Sequence, residues 1–242
     1  MTLTRDPRMS VDVRGSRRGL PEGTDLNTHA SRLGFPFALL CIVALVTPAA
    51  ADPDVEGVEA VFERYRSSAL ARNGRTALDT VSRGTITLYE NCRRLAIDAK
   101  ESELERLTQG EVLVVLRMRY ALEREALAKM DGRACFQHAM ENGWVSDSAL
   151  EKMRLGTVRY DGDKAYATVL NDGQAVEGMG FDFVKEKGEW RFDVNGLFHR
   201  AEPLFAQMRR NEKKNKVALG MKFLERVYGE EIPREILAGP LE

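Results

Sequence analysis

The sequence is short of the side chains that usually carry site chemistry. It holds 3 His and 3 Cys in 242 residues. Cys135-x-x-His138 is a two-ligand fragment, and no second Cys or His pair exists to complete a tetrahedral zinc site. The expectation is therefore no metal and no cofactor. No Gly-x-Ser-x-Gly nucleophile elbow and no His-Glu-x-x-His pair occurs. Gly178-x-Gly180 lies within a strand-like segment with no helix after it, so it is not a phosphate loop. Charge of one sign is also missing. The 36 basic and 37 acidic residues leave a net charge of −1, which argues against a nucleic-acid binder.

Long hydrophobic runs are absent as well. The longest, Phe35–Val46, is free of charge and too short to span a bilayer, which needs about 18 apolar residues. It follows Arg32 and ends in Thr47-Pro48, then Ala49-Ala50-Ala51. A basic flank, a short apolar stretch and small residues at the −3 and −1 positions form a secretory signal, with cleavage expected after Ala51 and with Ala49 and Ala51 in the peptidase pockets. Leu40 before Cys41 is not the small residue a lipoprotein signal needs. Arg17-Arg18 stands too far upstream for a twin-arginine arrangement. Residues 1–51 thus read as a polar extension plus cleaved signal. The rest is exported to the periplasm or beyond, without a transmembrane anchor after cleavage.

Removal of the signal's 6 basic and 4 acidic residues leaves 30 basic against 33 acidic. Two cysteines remain, Cys92 and Cys135. An even pair in an exported chain forms one disulfide, or else packs as two buried thiols. A bridge across so long a loop adds about 3–4 kcal/mol in the chain-entropy model.

Apolar periodicity predicts helices over 55–72 (Val58, Val61, Phe62, Tyr65 and Ala69 on one face), 84–100, 109–130, 133–141 and 147–153. Asn73-Gly74 reads as the stop of the first. Thr108-x-x-Glu111 is a capping box. Val112–Leu116 is β-branched enough to read as a strand, although helix is the preferred reading. Character changes after residue 156. Thr157–Tyr160, Lys164–Leu170, Glu177–Lys185 and Glu189–Val194 alternate apolar and polar residues. Asp161-Gly162-Asp163, Asn171-Asp172-Gly173 and Glu186-Lys187-Gly188 separate them as turns. Such a run predicts an antiparallel meander with one apolar face, covered by the preceding helices. A last helix is expected over Pro203–Tyr228. The fold class expected is α+β: N-terminal helices on a curved four-stranded antiparallel sheet, plus a C-terminal helix. The domains expected are residues 52–200 with a helical appendage at 201–242.

Helices followed by a meander that contains Asp161-Gly162-Asp163-Lys164-Ala165 and Phe181-x-Phe183-Val184-Lys185-x-x-Gly188-Glu189-Trp190-Arg191-Phe192-Asp193 resemble the NTF2-like superfamily of α+β cones. That resemblance spans roughly residues 55–198. It implies a pocket inside the cone, for which Tyr65, Phe181, Phe183, Trp190 and Phe192 are the lining candidates. It also implies, for some members, an Asp that shuttles protons there. Here Asp182 and Asp193 alternate with the aromatic residues, so both are expected to face solvent. His199, in Leu-Phe-His-Arg after the last strand, is of the type that serves as a general base. No carboxylate or nucleophile is tied to it by sequence, and it reads as a surface or capping residue. The function expected is a non-catalytic exported domain that binds a small apolar ligand or an envelope protein partner. The alternatives are a cofactor-free isomerase or cyclase and a structural helper in an envelope assembly.

Overall fold

A computed structural model describes residues 53–240. The signal segment, with Cys41, Ala49 and Ala51, lies outside the described residues. The first helix, α1 (Pro53–Leu70), buries Val58, Val61, Phe62, Tyr65 and Ala69, the stripe its spacing predicts. Its stop differs from expectation. Arg72 takes the left-handed conformation (φ 56°), and Asn73 instead caps the next helix, accepting from the Thr76 N–H at 3.0 Å. That helix is α2 (Gly74–Leu78).

Ser82 caps α3 (Arg83–Asp98) through the Thr85 N–H at 3.0 Å, and α4 (Glu101–Leu104) follows. The capping box of Thr108 and Glu111 opens α5 (Gln109–Ala121), so Val112–Leu116 is helical. The single helix expected over 109–130 is broken. Leu122 turns extended and packs against the core, because tertiary burial outweighs the helix propensity of the run. Then come α6 (Arg124–Lys129), α7 (Gly132–Glu141) and α8 (Asp147–Lys152).

The strands are β1 (Met153–Asp161), β2 (Lys164–Asn171), β3 (Gln174–Glu186) and β4 (Glu189–Asp193), antiparallel in the order β1-β2-β3-β4. Two connections take left-handed backbone at both central residues, Asp172-Gly173 and Lys187-Gly188, as tight hairpins require. Register shifts between Leu155 and Val158, and between Thr168 and Leu170, curve the sheet as bulges do. The sheet stays open. Ala165, Ala167, Phe181, Phe183, Trp190 and Phe192 fill its inner face, all buried. Packed on it is α1, with Phe62 5.2 Å from Phe181 and Tyr65 4.8 Å from Phe192 between ring centres. The fold is thus α+β, as the pattern predicts.

The C-terminal region differs from the single helix expected over 203–228. Asp193 accepts from the Asn195 N–H at 3.2 Å and so starts α9 (Val194–Glu212) directly from the sheet. Pro203 falls inside this helix rather than at its start. Left-handed Lys213 ends it, and Asn215 caps α10 (Lys216–Tyr228). With α9 packed on β3 and α10 on α5, these helices belong to the same compact unit as the sheet. A short 3-10 turn, Arg234–Leu237, follows. Among the described residues no helix is long and apolar enough to cross a membrane.

Candidate functional site: an apolar cavity

Helix α9 leaves the sheet at Asp193 and lies against β3, while α5 and α10 pack beside it. Their facing surfaces do not close completely. Between them and α1 lies a cavity of about 390 Å³. Its buried end is formed by Phe62, Tyr65 and Tyr89 with Phe181 and Phe192 of the sheet. Its outer part is formed by half-buried Trp144, Phe198, Phe205 and Phe223, and by Val227, which is 57% exposed. The volume falls in the range of small-molecule sites, roughly 300–1,000 Å³.

A polar network joins the walls. Glu202 on α9 accepts from the Gln109 N–H at the start of α5 at 2.7 Å, and from Arg209 Nη2 at 2.8 Å. The buried Gln109 side chain accepts from Arg209 Nη1 at 3.1 Å and donates to the Lys216 carbonyl of α10 at 2.9 Å. Three helices are so tied at one end. Gly110 lets α5 approach α9, since a Cβ there would lie 2.5 Å from the Phe198 ring.

Polar atoms in the lining are few. Arg117 donates from Nη1 to the Trp144 carbonyl at 2.8 Å and from Nε to the Tyr228 hydroxyl at 3.3 Å. The other side-chain polar groups of the lining residues are the phenols of Tyr65 and Tyr89 and the indole N–H of Trp144. Burial pushes both above the usual tyrosine pKa. For Tyr89 the neighbouring Tyr65 adds to the rise and Arg117 opposes it. Among the described residues no Asp, Glu or His lines the cavity.

Of the five residues expected to line a pocket, Tyr65, Phe181 and Phe192 do so. Phe183 lies outside it, wholly buried against Phe192 at 5.5 Å. Trp190 faces a separate shallow hollow with Gly57, Arg64 and Lys185, and its Nε1 donates to Asp54 at 3.1 Å. Asp182 and Asp193 do turn away from the aromatic face, but neither is simply solvated. Arg200 donates to Asp182 at 2.7 and 3.1 Å, and Asp193 caps α9 while accepting from Ser82 Oγ at 3.1 Å. His199 is exposed on α9.

Cys92 on α3 and Cys135 on α7 are free thiols, each 1% exposed, so the bridged alternative is not formed here. Among the described residues no three His, Cys, Asp or Glu side chains converge as a metal set. His138 sits edge-on to Trp144 at 5.8 Å, and burial holds its pKa down.

Residues that sequence reasoning missed form much of the lining: Tyr89, Arg117, Trp144, Phe198, Phe205 and Phe223. A signal existed for two of them. Leu197, Phe198, Ala201 and Phe205 fall at i, i+1, i+4 and i+8, one helical face, although the helix is expected only from Pro203. No family model, no curated protein and no solved structure matches this chain.

Proposed function

We propose that this is an exported, non-catalytic binding domain whose cavity takes a small apolar ligand. The observation that carries the reading is the cavity itself, about 390 Å³ and lined almost wholly by aliphatic and aromatic side chains. Burying a ligand there is favoured by roughly 25 cal/mol for each Å² of apolar surface removed from water. A lining free of carboxylate and imidazole supports binding over proton-transfer chemistry, since it offers no general acid or base of the usual kind. Export rests on the signal-like segment at Arg32–Ala51. The NTF2-like reading rests on the order of helices then meander, and on the aromatic inner face beneath α1.

Native mass spectrometry of the protein purified from its source tests the reading. The expected result is a retained non-covalent mass that organic solvent releases. An Ala201→Phe variant, which fills the cavity from α9, should lose that mass while keeping its circular-dichroism spectrum. A protein that carries nothing and binds no apolar probe would refute the proposal.

A further inference from the structure

The buried end of the cavity is not chemically neutral. Tyr65 and Tyr89 are each only 5% exposed, and both line the cavity. Their rings pack on aromatic neighbours, Tyr65 on Phe192 at 4.8 Å and Tyr89 on Phe136 at 5.2 Å, but neither hydroxyl forms a hydrogen bond among the described residues. Buried phenols normally find a partner, because an unmade hydrogen bond carries the full desolvation cost. A ligand made only of hydrocarbon would seal these hydroxyls away from any acceptor.

Arg117 adds a charge to the same lining. Two of its nitrogens are held, Nη1 by the Trp144 carbonyl and Nε by the Tyr228 hydroxyl. Its guanidinium also lies 5.3 Å from the Trp144 ring centre and 5.6 Å from that of Tyr228. These contacts orient the group without neutralising it, and Nη2 makes no hydrogen bond among the described residues. Among the described residues the lining offers no carboxylate to pair with it.

Each phenol can donate as well as accept, and the guanidinium only donates. Two phenolic O–H groups and a guanidinium belong to residues that line one space with otherwise hydrocarbon walls. Its complement is a group that only accepts and carries negative charge. A carboxylate does both, with two oxygens and room for several hydrogen bonds.

We infer that the cavity binds an amphipathic monocarboxylic acid, with its carboxylate on Tyr65, Tyr89 and Arg117 and its apolar body along Phe181, Phe198 and Phe223. This rests on the cavity being a ligand site, and goes beyond it by naming the head group.

Isothermal titration of the full exported chain with dodecanoate and with dodecan-1-ol separates the two claims. Dodecanoate should bind about tenfold or more tightly than the alcohol of equal chain length, as charge-assisted hydrogen bonds would give. Arg117→Met should abolish that preference by weakening dodecanoate alone. Tyr65→Phe with Tyr89→Phe, which removes only two oxygens, should weaken dodecanoate several-fold and leave dodecanol unchanged; it decides the matter if the Arg117 variant fails to fold. Equal affinity for acid and alcohol in the wild-type protein would overturn the head-group inference and leave the apolar site standing. Binding of neither would overturn both.

Discussion

Arg117 places its guanidinium 5.3 Å from the ring centre of Trp144 and donates to that residue's own carbonyl oxygen at 2.8 Å. The pair fixes an indole in the cavity lining. The chain has 2 Trp, and the other, Trp190, sits in a different hollow. Ligand entry should therefore change the emission of one tryptophan only. Titration of dodecanoate into a Trp190→Phe variant should keep the full fluorescence change seen in the parent. A Trp144→Phe variant should lose it. A response that survives in Trp144→Phe would place the ligand elsewhere.

The outer face of the sheet carries a stack of a different kind. Tyr166 lays its ring over Gly180 so closely that a Cβ there would lie 2.0 Å from it. Arg200 lies 4.3 Å above the same ring while it pairs with Asp182. Gly180→Ala should destabilise the protein by about 1–3 kcal/mol, as overpacking does. In Tyr166→Ala with Gly180→Ala the added methyl has room, so the double variant should lose less than the two single losses together. Urea denaturation of the four proteins gives this coupling directly.

How much of this was legible before the structure follows from which contacts are local. The meander was readable because each turn signal, such as Asp172-Gly173, lies between its own two strands. The aromatic face of Phe181, Phe183 and Phe192 follows from alternation alone. Thr108 and Glu111 announced α5 through a contact three residues long. The cavity is another matter. It arises where α9 fails to close on α5 and α10, and no local pattern encodes a gap between distant elements. Pro203 also misled, because a proline favours a first helical turn. Asp193 had already started the helix ten residues earlier, and the lining residues Phe198 and Ala201 were hidden with it. Arg117 gave no sign of its role, since an arginine on a helix is ordinarily a solvated one.

The two thiols offer a test of packing. Burial raises both, Cys135 to about 12 and Cys92 further still. A thiolate is the reactive form, so both should be nearly inert at neutral pH. Native protein starting at Asp52 should react with Ellman's reagent only at the rate of unfolding, and the same protein in guanidinium should release two equivalents at once. A mass that rises by two hydrogens on reduction would show a bridge instead.

Acid should loosen the join between α1 and the sheet. Lys185 donates to Asp54 at 2.6 Å and Trp190 Nε1 does so at 3.1 Å. These bonds hold the Asp54 carboxyl below its usual value of 3.8. A depressed carboxyl gives stability that is complete above the unfolded-state pKa and lost as pH falls through the folded one. Thermal midpoints measured downward from pH 5 should therefore drop more steeply in the parent than in Asp54→Asn. Parallel curves would remove Asp54 from the acid response.

Arg119 is the most deeply buried charge among the described residues, at 0% exposure on α5. It donates to five backbone carbonyls: Leu95, Ala96 and Ala99 at the end of α3, and Ile236 and Leu237 in the final turn. Burial, then the nearby Arg124, pulls its pKa down to about 10, so it stays charged at neutral pH. The end of α3 leaves carbonyls without helical partners; one planar fork satisfies those of Ala96 and Ala99, adds a second donor to Leu95, which already accepts from the Ala99 N–H at 3.0 Å, and clamps the C-terminal turn. Arg119→Met would strand four acceptors, since Leu95 keeps the Ala99 N–H, and a loss of about 3 kcal/mol or more is expected, since each buried unmet group costs about 1–3 kcal/mol and some find water on relaxation. Arg119→Lys keeps the charge but offers three donors from one nitrogen, without the fork that spans both segments. It should recover little of that stability. Hydrogen exchange should speed up at 234–238 in both variants before the rest of the chain is affected. A lysine variant as stable as the parent would mean that charge alone holds the turn.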